Sequence, residues 1–145
     1  MLNIPQIVEK TVKKYGTSDP FEICDRMDIK VIRQELPDNV NGFFVKILKN
    51  YVIILNESCS HEFSRFVLAH ELGHIIIHGG TNSIDMRLNT NLCVEKHERQ
   101  ADCFAGCLLL KYSGLCNDAI DGQVTSEMLS MVTGVPEDVV RSVLL

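Results

Sequence analysis

Two histidines four residues apart, with a glutamate directly after the first, constrain this chain more than any other feature. They are His70 and His74 in the run His70-Glu71-Leu72-Gly73-His74. At about 100° per residue, positions four apart lie roughly 40° from each other on one helix face. Two imidazoles so placed can bind one metal ion. Glu71 then points to the side, where a carboxylate can reach a metal-activated water without being a ligand. For this to work the run must sit inside a stable helix, and its surroundings supply one. Ser60 is a candidate N-cap, and Glu62 lies in the first turn. Phe66, Val67, Ile75 and Ile76 flank the motif, and Gly79-Gly80 is a stop signal. The spacing predicts a helix from about His61 to His78. Gly73 weakens it by about 1 kcal/mol relative to alanine, and its missing side chain invites close approach by a backbone or a substrate.

The rest of the chain reads as elements arranged around this helix. Residues 3–15 carry apolar side chains at helical spacing and end at Gly16. Ser18-Asp19-Pro20 opens a second helix that runs to about Met27. Residues 29–36 predict a short strand, followed by a turn at Pro37-Asp38-Asn39. Residues 42–47 and 51–56 predict a β-hairpin joined by Leu48-Lys49-Asn50. Residues 81–92 are polar and read as a loop. A second long helix is expected from about Val94 to Tyr112. Two short helices follow, about 124–132 and 136–144, broken at Gly134-Val135-Pro136. The expectation is one α+β domain over residues 1–145. It has a helical N-terminus, a small antiparallel sheet, the histidine helix packed on the second long helix, and a helical tail from about residue 118 packed on that body.

A hydrolytic zinc site takes a third protein ligand and keeps one position open. Downstream of the histidines the candidates are Glu95, His97 and Glu98, with Asp85 and Asp102 behind them. Glu98, Ala101, Asp102, Ala105 and Leu108 share one face of the second long helix. Small Ala101 and Ala105 would let that helix pack closely, so that Glu98 faces the metal. Asp102, one turn on, could then hold a ligating imidazole by its other ring nitrogen. His78 ends the histidine helix. The helix dipole favours it there, and a supporting or substrate-contacting role is the alternative.

Composition removes several function classes. The net charge of −5 is a poor basis for binding nucleic acid or an anionic membrane directly. The stretch 124–145 resembles a helix-turn-helix in outline. However, Arg141 is its only basic residue, against Glu127, Glu137 and Asp138, too little for a phosphate-gripping element. No run of about 18 apolar residues offers a membrane helix. The start, MLNIPQIVEK, lacks the pattern of an export signal, so a cytoplasmic location is expected. In that setting the six cysteines, Cys24, Cys59, Cys93, Cys103, Cys107 and Cys116, read as small core-filling side chains rather than disulfides or a second metal site.

Two stretches carry a family resemblance. Phe66-Val67-Leu68-Ala69-His70-Glu71-Leu72-Gly73-His74, followed by His78, resembles the ImmA/IrrE family of bacterial and phage metallopeptidases. Glu98-Arg99-Gln100-Ala101-Asp102-Cys103-Phe104-Ala105 is similar to that family's second motif. Together they cover about residues 42–110. One departure is visible: the family commonly has Met-Pro after the apolar end of the second motif helix, where this chain has Lys111-Tyr112. The resemblance implies a zincin-like fold, Zn2+ on His70, His74 and Glu98, and Glu71 as general base. It also implies a protein substrate, a transcriptional repressor of a phage or mobile element. The alternative from another class is a non-catalytic zinc protein that binds a repressor or senses a signal.

Overall fold

A computed structural model describes residues 2–79, 91–112, 122 and 124–144. The expected loop at 81–92 falls almost wholly outside that range, as do Asp85, Cys116 and the side chain of Cys93. Among the described residues are six helices and three strands: α1 (Ile4–Tyr15), α2 (Pro20–Arg26), β1 (Lys30–Gln34), β2 (Gly42–Ile47), β3 (Asn50–Asn56), α3 (His61–His78), α4 (Asn91–Lys111), α5 (Ser126–Thr133) and α6 (Glu137–Leu144).

Local signals set most of the boundaries. Asn3 caps α1 by accepting from the Gln6 amide at 3.1 Å, and Asp19 caps α2 by accepting from Phe21 at 3.0 Å. Gly16 and Gly79 end α1 and α3 in the left-handed conformation. Ser60 accepts from the Phe63 amide at 3.1 Å, so α3 starts where its cap sets it.

The sheet differs from the antiparallel one expected. Its order is β1-β3-β2, and it is mixed. β2 and β3 form the expected antiparallel hairpin, but the turn is only Leu48-Lys49, with Leu48 at φ 59° and Asn50 already paired to Ile47. β1 lies parallel to β3, from Lys30 beside Val52 to Gln34 beside Asn56. Apolar alternation reports which face of a strand is buried. It does not report which neighbour the strand takes, and here β1 passes over its successor to reach the third strand. The crossover at residues 35–41 is held by Asn56, which is 2% exposed. Its Nδ2 donates to the carbonyls of Leu36, Pro37 and Val40 at 3.3, 3.2 and 2.8 Å. Its Oδ1 accepts from the Ser58 amide and hydroxyl at 3.0 and 2.8 Å.

α3 is the central element. Nine of its residues, from Ser64 to Ile75, are buried, so it has no single apolar stripe. It packs along α4, where Ala101, Phe104, Ala105 and Leu108 are fully buried. The space left by Gly73 is taken by the Phe104 side chain: a methyl on Gly73 would lie 3.1 Å from Phe104 Cβ. The expected close packing of the two long helices is therefore present, with an aromatic side chain rather than a backbone or substrate at the glycine. The tail turn at Gly134 sits against the first turn of α3, where an added Cβ would overlap the Glu62 carbonyl. The arrangement is α+β and agrees with the zincin-like fold. No helix among the described residues is long and apolar enough to cross a membrane.

Cys24 and Cys107 are buried, and Cys59 and Cys103 are partly so; none of the four is in a disulfide. Burial pushes the Cys24 thiol up to about 12, as suits a core-filling side chain.

Candidate metal centre

α3 presents His70 and His74 on one face, their rings edge to face with centroids 4.8 Å apart. α4 brings Glu98 between them. Glu98 Oε2 lies 2.9 Å from His70 Nε2, and Oε1 lies 3.0 Å from His74 Nε2. One donor atom from each residue can be chosen so that all three lie within 4.8 Å of one another. Two imidazole nitrogens and a carboxylate oxygen converging on one point are a donor set that fits a divalent ion such as zinc. The cluster opens on a cleft of about 870 Å³, bounded by the crossover and β2 on one side and by Phe63, Phe66 and Pro136 on the other. Glu71 lines the same cleft.

Each histidine is gripped by its second ring nitrogen. His70 Nδ1 lies 2.8 Å from Asp102 Oδ1, one turn beyond Glu98. His74 Nδ1 lies 3.0 Å from His78 Nδ1, and His78 Nε2 lies 2.9 Å from Gln100 Oε1. Such outer contacts fix ring orientation and tautomer.

The electrostatics follow from burial and these contacts. Burial works against a charged His70, but hydrogen bonds to Asp102 and Glu98 outweigh it, and its pKa rises to about 10. Burial would raise the Glu98 carboxyl, yet its bonds to His70 and His74 hold it well below the usual carboxylate range. Glu71 moves the other way: burial raises its proton affinity, only partly opposed by the two histidines. Burial also lowers His78, against its bond to Gln100.

The structure thus brings together His70, His74 and Glu98, with Glu71, Asp102 and His78 around them. It separates the other third-ligand candidates. The Glu95 side chain is 68% exposed and lies 3.9 Å from Arg99. The His97 ring stacks on His78 at 3.9 Å rather than joining the cluster. Adjacent positions on a helix point about 100° apart, so Glu98 and His97 could not both face the histidines. Gln100 was not foreseen. No spacing rule marks it, because its partner stands at the far end of another helix.

Comparison with known proteins gives the family. Residues 24–144 match the Peptidase_M78 family, the IrrE N-terminal-like domain. "Uncharacterized immunity region protein 2" of Bacillus phage phi105 is 31% identical over 135 residues, covering 93% of this chain and 85% of that protein. "Metallopeptidase ImmA" of Bacillus subtilis (strain 168) is 34% identical over 105 residues, covering 71% of this chain and 60% of ImmA. With the family match running through both long helices, the chain belongs to the ImmA/IrrE family of metallopeptidases.

Proposed function

We propose that this chain is a zinc-dependent endopeptidase of the cytoplasm, a single domain that cuts one specific regulator, a transcriptional repressor of a phage or mobile element. The relatives named for metallopeptidase activity and for a phage immunity region support the substrate class. In this reading His70, His74 and Glu98 would hold zinc through their imidazoles and carboxylate. The ion would supply Lewis acidity toward water and toward the scissile carbonyl. Glu71 takes the proton of the attacking water and returns it to the departing amine. Asp102 keeps the His70 proton on Nδ1, leaving Nε2 free to bind. The cleft admits an extended segment of substrate between the β2 side and the Phe63–Phe66 wall.

Glu71 is the observation that carries this reading. It is a carboxylate inside the cleft but outside the three-residue cluster, and burial shifts its proton affinity toward the range where it can both accept and donate. A site that only stored or sensed metal needs no such group. The test expresses the parent and Glu71→Gln in bacteria and maps new protein N-termini by mass spectrometry. The expected result is cleavage of one DNA-binding regulator by the parent alone, with equal zinc in both purified proteins. Cleavage that survives in Glu71→Gln would defeat the catalytic assignment.

A further inference from the structure

The two histidines of the cluster are not held alike. Asp102, a carboxylate, can only accept from His70 Nδ1–H. His74 is 1% exposed, and its Nδ1 faces a second imidazole, which could either accept or donate. This contact alone leaves the His74 tautomer undetermined. The next group along the chain of contacts is Gln100, whose amide oxygen lies 2.9 Å from His78 Nε2.

We propose that Gln100 is a positioning residue that sets the tautomer of His74 through His78, and so determines whether His74 offers a lone pair to a metal ion. Each link has one proton between two heavy atoms. With its amide oxygen toward His78, Gln100 accepts from His78 Nε2–H at 2.9 Å. His78 Nδ1 then carries a lone pair and accepts from His74 Nδ1–H at 3.0 Å. His74 Nε2 is left unprotonated, pointing at the cluster. If Gln100 instead turned its NH2 group to His78, every proton in the row would move the other way. His74 Nε2 would then carry hydrogen and donate to Glu98 Oε1, 3.0 Å away, a proton that an incoming ion must displace. A side chain that touches no ligand atom thus selects between a form of His74 that offers its lone pair and one that must first give up a proton. The ring of His97 stacked on His78 at 3.9 Å keeps that imidazole oriented for both of its bonds.

This inference rests on the metal site proposed above, and two substitutions test it. Gln100→Leu keeps the side-chain bulk and removes the acceptor. Gln100→Glu keeps an acceptor and cannot donate when ionised. Zinc affinity is measured by competition with a chromophoric chelator, and 15N imidazole NMR of the metal-free proteins reports which His74 nitrogen carries hydrogen. The expected result is a 10- to 100-fold weaker affinity for Gln100→Leu, the range typical of lost outer contacts, with parent-like or tighter binding for Gln100→Glu. His74 should carry its proton on Nδ1 in the parent and in Gln100→Glu. Parent-like affinity in Gln100→Leu, or equal weakening in both variants with an unchanged His74 signal, would overturn the proposal. A parent protein that takes up no zinc would defeat the metal site itself, an outcome read before either variant is compared.

Discussion

Alanine at Gly134 should unfold this protein more readily than alanine at any other left-handed glycine described. Gly134 has φ 79° and ends α5. A side chain in that conformation costs about 1–2 kcal/mol. The steric term adds to it, because the new Cβ would overlap the Glu62 carbonyl and crowd the Phe63 amide. Both are backbone atoms in the first turn of α3, so no rotamer change relieves the overlap, and forced shifts of this kind cost about 1–3 kcal/mol. The total is about 2–5 kcal/mol, on the order of 10 °C in Tm for a chain of this length. Gly79 is the internal control: its φ is 62°, and an added Cβ meets nothing within 4 Å, so Gly79→Ala carries the conformational cost alone. Urea and thermal unfolding of the parent and both variants, all with saturating zinc, separate the two terms. Gly134→Ala should exceed Gly79→Ala by about 1–3 kcal/mol. Equal losses would refute the claim that the tail turn is seated against α3. The same seating places Pro136 in the cleft wall, so Gly134→Ala should also raise KM for substrate.

Two further outcomes follow from the cluster. Asp102→Ala leaves the part-buried His70 Nδ1–H without its acceptor and should weaken zinc binding roughly 10- to 100-fold in chelator competition; unchanged affinity would show that the 2.8 Å contact does not support the ligand. In the metal-free protein, His70 holds its proton up to about pH 10, against an ordinary value of 6.5. Its contribution to stability is therefore complete below pH 6.5 and declines by about 1.4 kcal/mol per pH unit between 6.5 and 10, since the unfolded chain has released a proton that the folded chain keeps. Cys103, its thiol pulled down to about 7 chiefly by a hydrogen bond from Cys107, acts with the opposite sign above pH 7, so the urea series is best run in a Cys103→Ser background. A flat profile from pH 7 to 9 in that background would contradict the His70 assignment.

The features legible in the sequence were those set by near neighbours. His70 and His74 had to share a helix face, and Ser60 and Gly79 bounded that helix from within a turn of its ends. Asp102 was readable because it stands one turn from Glu98. The choice of Glu98 over Glu95 and His97 was legible in part, from the face it shares with small Ala101 and Ala105, which are fully buried. The other half of that packing, Phe104 filling the space at Gly73, joins two helices and no single helix pattern encodes it. The parallel partner of β1 was illegible for a related reason, since Val31 and Ile32 fit any apolar neighbour. Gln100 was hidden because glutamine has no periodic or charge signature, and its role exists only once His78 is beside it.

The order of strands also governs timing. Ile47 and Asn50 pair across two residues, so the β2–β3 hairpin can close on its own. Lys30 meets Val52 only after more than 20 intervening residues are brought round, which costs about 2 kcal/mol more in closure entropy. β1 therefore docks late, onto an edge the hairpin has already built. Until it arrives, the outer backbone groups of β3 lie open beside Ile53 and Leu55, an apolar strand edge able to pair with another chain. Of the crossover, the Leu36 and Pro37 carbonyls follow directly on β1 and reach Asn56 with it, whereas Val40 lies on the hairpin side, next to Asn41, whose carbonyl accepts from the Asn56 amide. Part of one rim of the cleft, at Leu36 and Pro37, is thus completed by the same strand pairing that covers the edge of β3.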